Sequence, residues 1–152
     1  MKRVAILMGS ESDRAVMEAA IPYLEHFQVP YEVHVMSAHR TPDRVIQFAT
    51  TARDQGFRIL IAGAGMAAHL AGALKAHSSL PVIGVPLPGG VADGLDALLS
   101  TVQMPKGVPV ATMSVGKAGA INAAVLAVEI LSLEDDTLQE RLEDFRRKGA
   151  KL

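Results

Sequence analysis

The fold is indicated most clearly by residues 31–43, which read YEVHVMSAHRTPD. Residues 31–36 are an alternating apolar run, which predicts a β-strand. Residues 41–43, Thr-Pro-Asp, predict a helix start, with Thr at the N-cap, Pro at the first helical position and an acid in the first turn. His39 and Arg40 are therefore expected on the turn between a strand and a helix, where open α/β sheets bind their ligands.

This one turn offers an acid/base and an anion anchor side by side. A neutral imidazole at position 39 can move protons near pH 7, and the guanidinium of Arg40 can hold a phosphate or a carboxylate. A cation near a helix N-terminus also opposes the helix dipole, so its placement favours a ligand-binding role. The alternative is that both side chains are ordinary surface residues.

The same order of strand, turn and helix recurs along the chain. The predicted strands cover residues 4–8, 31–36, 57–62, 81–85 and 108–113. The predicted helices cover the stretch from the turn at 9–13 to about residue 27, with a kink at Pro22, and residues 41–55, 66–76, 95–102 and 117–131. Alternating strands and helices predict βαβ units, a parallel sheet and right-handed crossovers. We therefore predict a flavodoxin-like, three-layer α/β/α sandwich with a five-stranded parallel sheet. The strand order cannot be read from the sequence, and 2-1-3-4-5 is the default order for a chain of this length.

The C-terminal segment, residues 133–152, differs in composition from the rest of the chain. It is rich in acidic and basic residues, and Leu138, Leu142 and Phe145 repeat at helical spacing. This pattern predicts an amphipathic helix that lies on its own domain or packs on a neighbouring subunit. The length of 152 residues predicts a single domain, residues 1–152, with a sizeable core.

Composition and missing motifs exclude several classes of function. The net charge is −1 without a basic block, which argues against nucleic-acid binding, and the absence of Cys excludes disulfides and thiolate ligands. The sequence has neither a signal peptide nor an apolar run of membrane-spanning length, so we expect a cytoplasmic protein without membrane contact. No His/Asp/Glu spacing resembles a metal site, and neither phosphate-loop nor dinucleotide fingerprints are present.

Two further turns are expected at the same edge of the sheet. After the first strand, the hydroxyl of Ser10 and the carboxylate of Asp13 can contact a phosphorylated sugar, although both are also ordinary helix-capping residues. After the third strand, residues 63–69 read GAGMAAH, which keeps the backbone bare for a planar ring. His69 is expected about one turn inside the following helix, and residues 86–93 form either a lid or a tight connection. Together these residues predict a small anionic, nucleotide-like substrate that undergoes proton transfer without a cofactor.

Five motifs in register resemble the N5-carboxyaminoimidazole ribonucleotide mutase family, the small catalytic subunit of bacterial purine synthesis. They are MGSESD (8–13), SAHRTP (37–42), AGAG (62–65), AAHL (67–70) and VQMP (102–105). The resemblance runs in order from about Val4 to Leu131. It implies a flavodoxin-like octamer with active sites at subunit junctions, and a functional link to the ATP-dependent N5-carboxyaminoimidazole ribonucleotide synthase.

The resemblance also implies the reaction and its residues. N5-carboxyaminoimidazole ribonucleotide is converted into 4-carboxyaminoimidazole ribonucleotide with no metal, ATP or biotin. His39 matches the general acid/base of the family. The matching substrate-binding positions are Ser10, Asp13 and Arg40, and the other matching pocket positions are Ser37, Ala38, Gly65, Ala67, His69 and Leu70.

The sequence departs from the family pattern near the expected pocket. Met66 stands where Gly is usual, Ala71 where Pro is usual, and residues 88–93 replace a loop that is usually richer in hydroxyl residues. Two alternatives remain open. One is the related carboxylase, which uses aminoimidazole ribonucleotide and carbon dioxide directly and tends to have Lys where this chain has Arg40. The other is a non-catalytic nucleotide- or flavin-binding module on the same fold.

Overall fold

A five-stranded parallel sheet forms the centre of the molecule, with strand order β2-β1-β3-β4-β5. The computed structural model describes residues 3–152, so residues 1 and 2 of the predicted domain lie outside the described residues. The strands are β1 (Arg3–Met8), β2 (Tyr31–Val35), β3 (Phe57–Ala64), β4 (Val82–Pro86) and β5 (Ala111–Thr112). The predicted sandwich with its five-stranded parallel sheet is confirmed, and the observed strand order is the default one for this length.

Helices cover both faces of the sheet. The α-helices are α1 (Arg14–Met17), α2 (Ile21–His26), α3 (Pro42–Thr51), α4 (Leu70–His77), α5 (Leu95–Val102), α6 (Lys117–Ser132) and α7 (Asp136–Arg147). Short 3₁₀ segments cover Glu11–Asp13, Glu18–Ala20 and Val91–Asp93. None of the helices between residues 3 and 152 combines the length and the apolar character that a bilayer span requires.

Apart from Arg3 and Arg58 near the starts of β1 and β3, the central strands are apolar because both of their faces are buried. In β1, Val4, Ile6 and Met8 pack toward the layer that contains α2, α6 and α7. Ala5 and Leu7 point the other way, toward the layer that contains α3 and α4. The sheet therefore has an apolar core on each side, and its polar chemistry is left to the turns at the strand ends.

Helix α6 lies close to the sheet because its inner face consists of small residues. Ala120, Ala123, Ala124 and Ala127 are fully buried. At Gly119 even a methyl group would overlap the backbone carbonyl of Ser114. The small residues of this helix thus pack within the chain.

Helix α7 packs on its own chain. Leu138, Leu142 and Phe145 are buried in the core that α6 shares. The ring of Phe145 meets the ring of Phe27 edge-on at 5.2 Å between centroids, and Arg141 Nη1 donates to the Phe27 carbonyl over 2.9 Å. The sequence left two placements open, on the helix's own domain or on a neighbouring subunit. This packing agrees with the first, because the apolar face of α7 is buried within the chain.

Several predicted element bounds are wrong. The predicted first helix is broken into alternating α and 3₁₀ turns, with Pro22 in the first turn of α2, where the ring removes no helical hydrogen bond. Helix α3 ends at Thr51 instead of residue 55, because residues 52–57 form a Schellman-type end. In that end, Phe57 N donates to Ala52 O and Gly56 has φ 89°.

The third predicted helix and the fifth predicted strand are both shorter than expected. Helix α4 begins at Leu70 instead of residue 66, because Met66 lies in the left-handed region with φ 53° and cannot continue a right-handed helix. Strand β5 has two residues instead of six. Pro109 has no N–H to donate to the ladder, so pairing with β4 starts only at Ala111.

Candidate active site

A cleft of about 490 Å³ lies at the carboxyl ends of the strands. The turns after β1, β2 and β3 and the segment after β4 form its walls. All ten residues that were predicted from the sequence line this cleft: Ser10, Asp13, Ser37, Ala38, His39, Arg40, Gly65, Ala67, His69 and Leu70. The fold therefore brings together three turns that are far apart along the chain.

The turn after β1 is a capped 3₁₀ start. Ser10 is extended, with φ −149°, and its Oγ accepts a hydrogen bond from Ser12 N over 3.2 Å, so the capping role expected as an alternative is present. Asp13 is half-buried beside it, and its backbone N–H donates to Ser10 O over 3.1 Å. Burial raises the pKa of the Asp13 carboxyl, and a hydrogen bond from the Ser10 backbone partly opposes this rise.

Internal hydrogen bonds hold the turn after β2 in place. Ser37 Oγ accepts from the backbone N–H groups of His39 and Arg40, over 3.3 and 3.1 Å. Thr41 occupies the N-cap position of α3 as predicted, but its hydroxyl makes no cap bond to the helix. Instead, Thr41 Oγ1 accepts from Ser37 N over 2.9 Å and donates to Ser37 O. This bonding keeps the turn rigid while the side chains of His39 and Arg40 stay exposed.

Two imidazoles meet in the cleft. His39 Nε2 lies 2.7 Å from His69 Nδ1, and the two rings are nearly perpendicular at 83°. A hydrogen bond between them needs one donor and one acceptor nitrogen, so at least one ring is neutral while the bond exists. His69 is not inside a helix as predicted, because α4 starts later than expected and His69 becomes its N-cap residue.

The cleft also holds a cation without an internal partner. Within residues 3–152, no ion pair involves Arg40. Arg14, by contrast, is bound to Glu11 over 2.7 Å and to Glu18 over 3.2 Å. Arg40 is therefore the cation that is available to an anionic ligand in this cleft.

Gly63, near the end of β3, and Gly65, just after it, serve different purposes. A methyl group at Gly63 would overlap the buried side chain of Met17, so this glycine permits core packing. A methyl group at Gly65 would meet Leu87 Cβ at 3.6 Å, an ordinary contact. Gly65 lines the cleft and Gly63 does not, so only one of the two keeps the wall of the cleft bare.

The segment after β4 is a tight connection. Gly89 N donates to Asp93 Oδ1 over 3.0 Å, and a 3₁₀ turn follows at Val91–Asp93. Pro88 and Gly89 reach the rim of the cleft. Of the two alternatives for this region, the bonding favours the connection over a lid.

Five residues that line the cleft are absent from the predicted set: Gly9, Ala64, Met66, Pro88 and Gly89. Gly9, Ala64 and Met66 adjoin predicted positions in the sequence. Adjacency on the same turn is the signal that could have identified them. Within residues 3–152, no three His, Asp or Glu side chains gather as metal ligands would.

The comparisons with known proteins agree with this architecture. The AIR carboxylase family matches residues 3–151. The chain is 54% identical to the N5-carboxyaminoimidazole ribonucleotide mutase of Bacillus subtilis (strain 168), over 97% of this chain and 91% of that protein. It is 51% identical to the mutase of the same name from Escherichia coli (strain K12), over 95% of this chain and 86% of that protein.

A solved structure gives the same result at the level of the fold. The crystal structure of Treponema denticola PurE superposes with a TM-score of 0.88 at 28% identity. The match covers 99% of this chain and 92% of that one. Sequence relatives, fold and the arrangement of the cleft thus lead to one conclusion: the chain belongs to the AIR carboxylase family.

Proposed function

We propose that this protein is an N5-carboxyaminoimidazole ribonucleotide mutase, which moves a carboxyl group from the exocyclic nitrogen of the substrate to C4 of the ring in purine (IMP) biosynthesis. The observation that carries the proposal is the pairing of His39 with His69 at 2.7 Å, beside Arg40, which makes no ion pair within residues 3–152. A non-catalytic binding module needs no such pair of imidazoles. The relatives in Bacillus subtilis and Escherichia coli that carry the mutase name support the same reaction.

Each wall of the cleft receives a part of the substrate in this proposal. Arg40 binds the anionic groups, because its guanidinium presents several donors in a fixed fork. Ser10 and Asp13 bind the ribose phosphate end through hydroxyl and carboxylate oxygens. The remaining wall residues, Ser37, Ala38, Gly65, Ala67 and Leu70, leave a narrow space for the planar ring.

The reaction needs only proton transfers. His39, protonated, donates a proton to the carbamate nitrogen, the nitrogen–carbon bond breaks, and its electron pair stays on the nitrogen as carbon dioxide leaves. The aminoimidazole is an electron-rich enamine, so its C4 attacks the retained carbon dioxide. His39 then removes the proton from C4, which restores both the aromatic ring and the protonated imidazole. The proton gained at nitrogen equals the proton lost at carbon, so the conversion is an isomerisation without a cofactor.

Retention of carbon dioxide decides the rate of the second half. A molecule held beside C4 reacts as part of one complex, and such an arrangement corresponds to a very high effective concentration. The 2.7 Å contact with His69 fixes the orientation of the His39 ring between the two reaction sites. His69 therefore serves as a positioning residue in this mechanism.

Assembly as a homo-octamer belongs to the proposal. Leu95, Leu99 and Val102 lie on one face of α5 with exposed fractions of 47%, 50% and 45%. Val91, in the 3₁₀ segment just before α5, is also exposed, and subunit contacts cover exposed apolar side chains of this kind. We further propose a single catalytic domain over residues 1–152, a cytoplasmic location, and supply of the substrate by the ATP-dependent synthase.

A paired assay on the purified protein tests the function. One arm supplies N5-carboxyaminoimidazole ribonucleotide made in situ, and the other supplies aminoimidazole ribonucleotide with saturating bicarbonate. Ultraviolet absorbance follows the product in both arms. We expect efficient turnover only in the first arm. Turnover only in the second arm identifies a carboxylase, and absence of turnover in both leaves a binding module.

A further inference from the structure

The backbone at Met66 is unusual for a methionine. Its φ of 53° lies in the left-handed region, which glycine adopts freely and side chains with a Cβ adopt at a cost. Gly65 stands directly before it but is not among the residues with positive φ. The turn thus places its strained conformation on the methionine and not on the adjacent glycine, and such strain is characteristic of functional sites.

The side chain of Met66 is also unusually placed. It is 66% exposed, whereas Met8 and Met17 are fully buried and Met36 is 5% exposed. It belongs to the lining of the cleft, between the bare residues Gly65 and Ala67. A long, exposed apolar side chain therefore lines a site whose other walls are mainly polar or have small side chains.

The chemistry of the side chain suits contact with a planar ring. A thioether is apolar, polarisable and flexible, and it makes favourable contacts with aromatic systems. In the cleft, Leu70 is only 2% exposed, so it cannot move over a ligand. Met66 has the length and the freedom to do so, because its neighbours carry no side chain beyond Cβ.

We infer that Met66 is an apolar cover that lies over the bound aminoimidazole ring and keeps carbon dioxide inside the cleft between the two halves of the reaction. This inference rests on the proposed function. It assigns to one residue the task of excluding water from an otherwise open, polar site. It predicts that removal of the side chain releases the intermediate, so that decarboxylated aminoimidazole ribonucleotide leaves the enzyme without being carboxylated at C4.

Three variants distinguish the effect of the Met66 side chain from the effect of its backbone conformation. Met66→Gly removes both the side chain and the strain, Met66→Ala removes the side chain and keeps the strain, and Met66→Leu keeps an apolar side chain of similar size. The measurement is the ratio of aminoimidazole ribonucleotide released to carboxylated product formed, starting from N5-carboxyaminoimidazole ribonucleotide and corrected for spontaneous decay. Thermal unfolding and size in solution show that each variant is folded and assembled as the unmodified protein is.

The glycine and alanine variants should leak more intermediate and bind aminoimidazole ribonucleotide more weakly, each by about 2- to 10-fold, the range expected when an apolar side chain loses part of its contact with the ring. Met66→Leu should restore the low ratio. Equal leakage in all three variants and the unmodified protein refutes the cover, and a change in Met66→Gly alone refutes it in favour of a backbone effect. An unmodified protein that makes no carboxylated product refutes the proposed function instead.

A second measurement uses the unmodified protein and needs no turnover. Hydrogen peroxide converts exposed methionine to the sulfoxide, and Met66 is far more exposed than the half-buried Met104, which serves as the internal reference. Saturating aminoimidazole ribonucleotide should slow oxidation at Met66 and leave the rate at Met104 unchanged. Equal oxidation of Met66 with and without the ribonucleotide contradicts the cover.

Discussion

Replacement of His39 by Asn should abolish turnover and leave the ribonucleotide bound. The imidazole Nε2 lies 2.7 Å from His69 Nδ1, and an Asn side chain is too short to reach that position and cannot carry a proton at neutral pH. General acid–base catalysis contributes roughly 10²- to 10⁴-fold to a rate, and both halves of the proposed reaction depend on His39, so we expect kcat to fall by at least about 100-fold.

Binding should change far less than the rate, because the turn does not depend on the imidazole. Ser37 Oγ holds the backbone N–H groups of residues 39 and 40, and both bonds survive the substitution. Loss of one hydrogen bond to the ligand costs about 0.5–1.5 kcal/mol, which corresponds to at most about tenfold in Kd. The side chain is exposed, so the free energy of unfolding should stay within about 0.5 kcal/mol.

The assay compares initial rates with N5-carboxyaminoimidazole ribonucleotide and, by calorimetry, affinity for aminoimidazole ribonucleotide. His77→Asn is the matched control, since His77 is an exposed histidine at the end of α4 outside the cleft lining. The control should retain the full rate. A His39→Asn protein that retains more than about a tenth of kcat refutes the proton-transfer role, since loss of a general acid–base costs roughly 10²-fold or more.

Four other perturbations give distinct results. Arg40→Lys should raise the substrate Kd at least about tenfold in calorimetry, because a charge-assisted hydrogen bond contributes roughly 1.5–3 kcal/mol and Lys lacks the fork; unchanged affinity contradicts this. Burial raises the pKa of the Asp13 carboxyl above its ordinary value, so as the pH is lowered the ligand affinity should begin to fall earlier than an ordinary aspartate would cause. A titration of affinity against pH should lose this fall in Asp13→Asn. Gly119→Ala should lower the free energy of unfolding in urea by roughly 1–3 kcal/mol, because the new methyl group overlaps a backbone carbonyl; a stability equal to that of the unmodified protein means that the helix can shift freely. Phe145→Ala should cost roughly 3–5 kcal/mol in the same experiment, whereas Leu133→Ala, at an 82% exposed position, should cost no more than about 0.5 kcal/mol; equal effects refute the packing of α7 on its own chain.

Most of the fold could be predicted from the sequence because the apolar runs, helix starts and turns all indicate the same alternation of strands and helices. Helix α5 begins and ends at the predicted residues, Leu95 and Val102, whereas the strand order agrees with the default for this length and is not encoded in any local signal. The polar residues after β1 and β2 could be placed at one edge because the ends of parallel strands meet there. Local pattern also explains the convergence of Ser10, His39 and Gly65 in one cleft.

The errors concern geometry that the local sequence does not encode. The start of α4 depended on a left-handed methionine, which composition gives no reason to expect. The contact between His39 and His69 joins residues that are 30 positions apart, and its distance follows from the twist and spacing of three strands. Thr41 is a good N-cap residue by propensity, yet its hydroxyl binds Ser37, because the tight turn brings that backbone closer than the helix N–H groups.

The position of α6 and α7 after all five strands has a consequence for biosynthesis. During translation β1 to β5 leave the ribosome before these two helices, so Val4, Ile6, Ile59 and Ile61 on one face of the sheet are covered only by the short helices α1 and α2 until α6 and α7 follow. Only the opposite face, which α3 and α4 cover, can be completed early. A nascent chain that stalls before α6 therefore presents a wide apolar surface, and we expect such products to depend on chaperones and to be degraded rather than to accumulate as partly active enzyme.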